Sequence, residues 1–131
     1  MMKTIINIDV PELGQAIDFY RTALGLELNR VIEGDTAELG GASSTLYLLQ
    51  KPAGSSPKKD VAQGRQYGPH WTPVHIDFVV DDVEKAAQRA LAAGARQESG
   101  RVDWMGSKCI TFSDPFGHGF CLIEFEGDTY R

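Results

Sequence analysis

The chain has 131 residues, a formal net charge of −5, and 42% hydrophobic against 24% charged residues. That composition suits one soluble globular domain, or two fused small units, long enough to bury a core. The acidic balance argues against nucleic acid or an anionic membrane as partner, and no apolar run approaches membrane-spanning length.

Thr4 to Val10 alternates, with Ile6, Ile8 and Val10 on one face and Ile5, Asn7 and Asp9 on the other, as a strand does. Pro11 suits the first turn of a helix and Glu12 complements its positive end. Leu13, Ala16, Ile17, Tyr20 and Leu24 follow at helical spacing, and Gly25 stops the run. Strand-like pieces then cover Glu27 to Ile32, Thr36 to Leu39 and Thr45 to Gln50, separated by Glu33-Gly34-Asp35 and Gly40-Gly41. The first module, residues 1–50, therefore reads β-α-β-β-β.

Residues 51–73 read as a linker rich in Pro, Gly and Ser, and its Lys58-Lys59 with Arg65 as a solvated basic loop. Tyr67, His70 and Trp71 are aromatic for a spacer. They either cover a cavity, pack at a subunit contact or anchor the loop.

Val74 to Val80 repeats the opening strand, with Val74, Ile76, Phe78 and Val80 on one face and His75, Asp77 and Val79 on the other. Asp81 and Glu84 are spaced like a capping box, and Val83, Ala86, Ala87, Ala90 and Leu91 form a helical stripe ended by Gly94. Strands are expected at Ala95 to Glu98, Lys108 to Phe112 and Phe120 to Phe125. Trp104-Met105-Gly106 is placed in the loop before the last hairpin. Asp114-Pro115-Phe116-Gly117 is a turn by composition: Asp bonds the backbone ahead of it, Pro presets φ and Gly accepts φ > 0. The second module, residues 74–126, has the order of the first, and 127–131 is a tail. Ile8, Leu13 and Ala16 line up with Phe78, Val83 and Ala86, and Leu46 to Leu49 with Phe120 to Ile123, which points to an internal duplication.

An ordered set of motifs carries a resemblance. Phe19-Tyr20-Arg21 through Leu24-Gly25-Leu26, His75-Ile76-Asp77 followed by Asp82-Val83, Ala93-Gly94-Ala95, and Asp114-Pro115-Phe116-Gly117-His118 resemble the vicinal-oxygen-chelate superfamily. That group includes glyoxalase I, extradiol dioxygenases, fosfomycin-resistance enzymes and bleomycin-resistance proteins. The resemblance implies an α+β fold of two tandem βαβββ modules whose mixed sheet curls around a cup, paired within or between chains, with a homodimer as the expected assembly. It also implies, for catalytic members, a divalent metal held by the first and last strands of each module. Carried over, those positions fall on Ile5, Tyr47, His75 and Cys121.

Iron, zinc, nickel or manganese would normally want three or four His or carboxylate donors there. Ile5 offers none and neutral Tyr47 is a poor one, which leaves His75 and Cys121. Glu124, three residues past Cys121, points to the opposite face of a regular strand. A family-type metal centre is therefore not expected, no cofactor is assigned, and a divalent metal is the disfavoured alternative.

His75 is the candidate catalytic residue, since an imidazole donates, accepts and carries protons; its bland reading is a satisfied histidine on a half-buried strand. Asn7, Tyr47, Asp77, Trp104 and Cys121 are the other candidate pocket residues. Each has a plain alternative: a water-filled groove for Asn7 and Asp77, aromatic wall for Tyr47, packing for Trp104 and a small buried hydrophobe for Cys121. His118 is read as structural or solvent-facing. Cys109 and Cys121 could pair across the hairpin, but without an apolar signal region at the N-terminus the expectation is a cytoplasmic protein with reduced thiols. Two functions follow. One is a metal-free protein of the bleomycin-resistance type that binds a planar or cationic small molecule in the cup. The other is a metal-dependent glyoxalase- or lyase-like enzyme that uses His75 on a small oxygenated metabolite.

Overall fold

The first strand, β1 (Ile5–Val10), buries Ile8 and Val10 and turns Ile5 and Asn7 to solvent, as its alternation dictates. The computed structural model describes residues 2–56, 59 and 63–126. The elements that follow β1 are α1 (Leu13–Leu24), β2 (Glu27–Ile32), β3 (Thr36–Gly40), β4 (Thr45–Gln50), β5 (Ile76–Val79), α2 (Val83–Ala92), β6 (Arg96–Gln97), β7 (Val102–Trp104), β8 (Ser107–Ser113) and β9 (Gly119–Phe125). The architecture is α+β, with two helices and two mixed sheets.

The chain divides into two units, Met1–Tyr67 and Gly68–Arg131. In the first, the sheet order is β1-β4-β3-β2, with β1 and β4 parallel and the other pairs antiparallel. Leu13, Ala16, Phe19, Tyr20 and Ala23 form the buried stripe of α1, which packs on one sheet face over Ala37, Leu39, Leu46 and Leu48. The helix starts at Leu13, two residues after the Pro11 that the sequence suggested for its first turn. Glu12 is its N-cap, with carboxylate oxygens accepting from the Gly14 and Gln15 N–H groups at 3.0 and 2.6 Å. Pro11 consequently precedes the helix, and Glu12 satisfies donors directly instead of merely balancing the dipole.

The second unit repeats this plan. Its order is β5-β9-β8-β6, β5 and β9 being parallel and β9, β8 and β6 antiparallel in turn. The strand β7 also pairs with β8, so the outer edge of this sheet is served by two short strands where the first unit has β2 alone. The corresponding β2 carries a register shift between Leu28 and Arg30; a bulge in one copy is a complete break in the other. This corrects the placement of Trp104, which closes a strand and does not lie in a loop. Met105 and Gly106, both at positive φ, form the two-residue turn that joins β7 to β8.

Val83, Ala87 and Ala90 of α2 are buried, and the helix packs on β9 and β8. Beneath it Phe112 and Phe120 stack at 5.6 Å between ring centroids, with Phe78 edge-on to Phe120. The N-cap is Asp82, whose Oδ1 accepts from the Lys85 N–H at 3.1 Å, and not Asp81 as the capping-box spacing suggested. Asp82 holds the extended backbone a cap needs, and Glu84 lies within the first turn and faces Arg101.

Residues 51–55 and 65–67 are tied to the first unit. The Gly54 N–H donates to the Arg65 carbonyl, the Arg65 N–H donates to the Ser55 carbonyl, and the Tyr67 hydroxyl donates to the Lys51 carbonyl. Arg65 is not a solvated loop cation: its Nε meets Asp9 Oδ2 at 2.7 Å with the side chain only 15% exposed. Lys58 lies outside the described residues, as does the 127–131 tail. In the second unit His70 bridges to His118 and their rings meet edge to face at 5.4 Å, while Trp71 lies over Gly119. Among the described residues no helix is long and apolar enough to cross a membrane.

Candidate functional site

Each sheet covers one face with its helix and leaves polar groups on the other. On the first unit, Asn7 of β1 is in register with Tyr47 of β4, and Tyr47 with Glu38 of β3. The Tyr47 hydroxyl donates to Glu38 Oε1 at 3.0 Å, and Arg30 on β2 meets Glu38 Oε2 at 2.7 Å. The Arg30 guanidinium, and secondarily the Tyr47 hydroxyl, hold the Glu38 carboxyl below the usual carboxylate range. A row of hydrogen-bonding groups thus crosses the first sheet from Asn7 to Arg30.

The equivalent row on the second unit runs Asp77, Cys121, Thr111 across β5, β9 and β8. His75 precedes β5 and lies two residues from Asp77, so both side chains share one face. Its Nε2 approaches Asp77 Oδ1 at 3.0 Å, with about half of each side chain exposed (51% and 46%). The donor atoms of His75, Asp77 and Cys121 all lie within 4.8 Å of one another, with Cys121 buried and the other two open to solvent. Both cysteines are free thiols.

Burial pushes the Cys121 thiol up to about 11. A hydrogen bond with Thr111 Oγ1 at 3.4 Å opposes that rise, while Cys109 and Asp77 nearby add to it. At neutral pH Cys121 is therefore a protonated thiol and a weak nucleophile.

Of the residues proposed from sequence, the structure brings His75, Asp77 and Cys121 together on the second unit, and Asn7 and Tyr47 on the first. Trp104 shares the Cys121 face by register, since it pairs with Ser107, but it stands four residues along β8 from Thr111. At ~3.3 Å per strand residue that is roughly 13 Å away, too far to touch the His75 group. Glu124 points to the helix side, where Oε1 accepts the Val83 N–H at 2.9 Å. Sequence reasoning missed Glu38, Arg30, Thr111 and Cys109. Alternation on the hairpin strands would have found Thr111 and Cys109, and Glu38 is the lone charge in the strand Thr36-Ala37-Glu38-Leu39-Gly40.

The metal positions implied by the vicinal-oxygen-chelate resemblance are a poor fit. Ile5 is 61% exposed and has no donor atom. Tyr47 commits its hydroxyl proton to Glu38. On the first unit neither position offers a His or carboxylate, so the usual oxygen- and nitrogen-rich set cannot be assembled from these four residues.

A family model described as a glyoxalase-like domain matches residues 5–123. The anthracycline biosynthesis protein DauV from Streptomyces sp. (strain C5) is 25% identical over 119 residues, covering 91% of this chain. The chain spans about 40% of the length of that curated relative. Among solved structures, lactoylglutathione lyase from Agrobacterium tumefaciens superposes with a TM-score of 0.65 at 21% identity, over 94% of this chain and 92% of that one. The fosfomycin resistance protein FosX from Listeria monocytogenes gives 0.70 at 18% identity, over 95% and 93%. At these identities the structural likeness speaks for the fold.

Proposed function

Because the chain belongs to the glyoxalase-like domain family, whose model spans residues 5–123, we propose that it binds a small organic molecule on its open polar sheet faces, without the family's usual metal centre. The observation that carries this is the convergence of His75, Asp77 and Cys121 within 4.8 Å on the sheet face turned away from α2, with His75 and Asp77 open to solvent. A polar group on an outward sheet face needs a partner or water, and three chemically different ones at one spot can recognise an oxygenated ligand. In this reading Asp77 orients the His75 imidazole, which hydrogen-bonds the ligand and is the group placed to exchange a proton with it. Asn7 and Tyr47 offer the corresponding contacts on the first unit. The match to DauV, named for anthracycline biosynthesis, makes a planar hydroxylated polycycle the first ligand to try. A homodimer is part of the same proposal and is read by light scattering.

The test is a titration of chelator-treated protein with a hydroxylated anthraquinone and with a cationic anthracycline, followed by tryptophan fluorescence and melting temperature. Saturable binding that weakens about tenfold, ~1.4 kcal/mol, in His75→Ala and in Asp77→Asn supports the proposal. No saturation with either compound, or binding indifferent to both substitutions, rejects it.

A further inference from the structure

We propose that Trp71 is the stacking residue of the second unit: its indole, seated on Gly119, receives the flat ring of an aromatic ligand whose oxygens hydrogen-bond His75 and Asp77. This rests on the small-molecule reading above and adds the residue that selects a planar ring over a saturated one.

Gly119 makes the seat. It opens β9 two residues before Cys121 and so shares the Cys121 face, the one turned away from α2. Its φ is not positive, so the backbone does not demand glycine there. What the glycine provides is space. A Cβ added at Gly119 would run into Cζ3, Cε3 and Cη2 of Trp71, so the ring fills the volume a side chain would take. The first unit supplies the contrast: Thr45 holds the equivalent place on β4, as Tyr47 does for Cys121, and carries a side chain there.

The seat lies beside the polar group. In the parallel register of β5 and β9, Ile76 pairs with Phe120 and Asp77 with Cys121, so one step back His75 falls beside Gly119. Ile5 and Thr45 are register partners in the first unit in the same way. Neighbouring strands lie ~4.8 Å apart and two residues along a strand span about 7 Å. A fused-ring ligand lying on Trp71 therefore reaches the His75 imidazole and the Asp77 carboxylate.

The ring is placed before a ligand arrives. The His70 N–H donates to the Gly117 carbonyl at 3.3 Å, the His70 and His118 rings meet at 5.4 Å, and His70 Nδ1 lies 2.9 Å from the Gly68 carbonyl oxygen. These contacts fasten the segment to the Asp114 turn without help from the indole. Trp71 itself stays 57% exposed, too open to serve chiefly as an anchor. A large apolar ring held open in a fixed position lowers the ordering cost of binding.

The experiment compares a hydroxylated anthraquinone with its perhydro analogue, which keeps the hydroxyl groups and lacks the flat ring, by titration calorimetry. The parent should favour the planar compound by about tenfold, the size of an aromatic pair contribution. Trp71→Ala should erase that preference by weakening the planar compound alone, and Trp71→Phe should keep most of it. Gly119→Ala drives the ring off its seat, so it should also weaken the planar compound, with no further effect in a Trp71→Ala background. A planar preference retained in Trp71→Ala, or a Gly119→Ala cost that persists without Trp71, would overturn the assignment. Equal weakening of both compounds in Trp71→Ala would overturn it too, marking Trp71 as an anchor of its segment. Failure of the parent to bind either compound is a different result: it defeats the small-molecule reading and this assignment with it.

Discussion

Glu124 Oε1 accepts the backbone N–H of Val83, the first residue of α2, at 2.9 Å. Gln50 does the same on the first unit, its Oε1 taking the Leu13 N–H at the start of α1, also at 2.9 Å. In both units a residue three places past the Tyr47 or Cys121 position reaches from the last strand to the helix N-terminus. The repeated arrangement thus extends to how each helix is fastened to its sheet. A free helix N–H is otherwise an orphan donor, and a buried orphan costs ~1–3 kcal/mol.

Glu124→Gln should therefore be nearly silent in chemical denaturation, because Gln50 shows that an amide oxygen suffices. Glu124→Ala should lose about 0.5–2 kcal/mol, the range for deleting a helix cap. Equal losses in the two variants would mean that the contact with Lys108 at 3.6 Å, and not the cap, is what matters.

The Asp114 turn sets a second expectation. Asp114 is buried, and its Oδ1 accepts from the Phe116 and His118 N–H groups, each at 2.9 Å. Gly117 follows at φ 90°, and a Cβ added there would run into the Gly68 backbone carbonyl. Gly117→Ala combines left-handed strain with a backbone clash and should cost about 1–3 kcal/mol. Gly119→Ala meets only the Trp71 ring, which is 57% exposed and free to swing out, so it should cost less while altering tryptophan fluorescence. The reverse order of costs in urea unfolding would contradict this account.

These cases show what the sequence carried and where it stopped. Strand alternation and helical spacing specify much of what each element buries: Ile8 and Val10 of β1 and Val83, Ala87 and Ala90 of α2 are buried as read, whereas Leu91 and Val74, also expected on apolar faces, are exposed because each lies at the margin of its element. Short edge elements were harder. Val102-Asp103-Trp104 is a strand because β8 offers it hydrogen bonds, not because of any pattern of its own, for all three residues are exposed. Cap positions shifted by one residue because Asp81 and Asp82 are chemically equal candidates and tertiary placement of the helix decides between them. For the site, His75, Asp77 and Cys121 were identified singly, while their convergence depends on the parallel register of β5 with β9, a long-range pairing.

The first unit's polar row should separate stability from recognition. Tyr47, Glu38 and Arg30 are linked on the face away from α1, and Arg30 still pairs with the half-buried Glu38 when the Tyr47 hydroxyl is removed. Tyr47→Phe should leave the unfolding midpoint unchanged within error and yet weaken the anthraquinone or anthracycline, since it removes a hydroxyl from the row. A lowered midpoint with unchanged affinity would assign Tyr47 to packing.

Alkaline pH provides a test of the Cys121 environment in chelator-treated protein. Its thiol titrates near 11 in the fold against 9.0 for the free group, chiefly because burial penalises the thiolate. Between those values the unfolded chain releases a proton that the native state keeps, so the stability linked to this group is fully present below about pH 9 and is lost as pH rises towards 11. At ~1.4 kcal/mol per pH unit the total is at most about 3 kcal/mol. Tyr67, raised by burial, and Lys108, raised by its bond to Glu126, push in the same direction at higher pH. The interval from pH 9 to 10 thus isolates the thiol best. There the unfolding free energy of the parent protein should fall with pH, and that of Cys121→Ala should stay nearly level. Parallel slopes in the two proteins would show that Cys121 is as well solvated in the fold as in the unfolded chain.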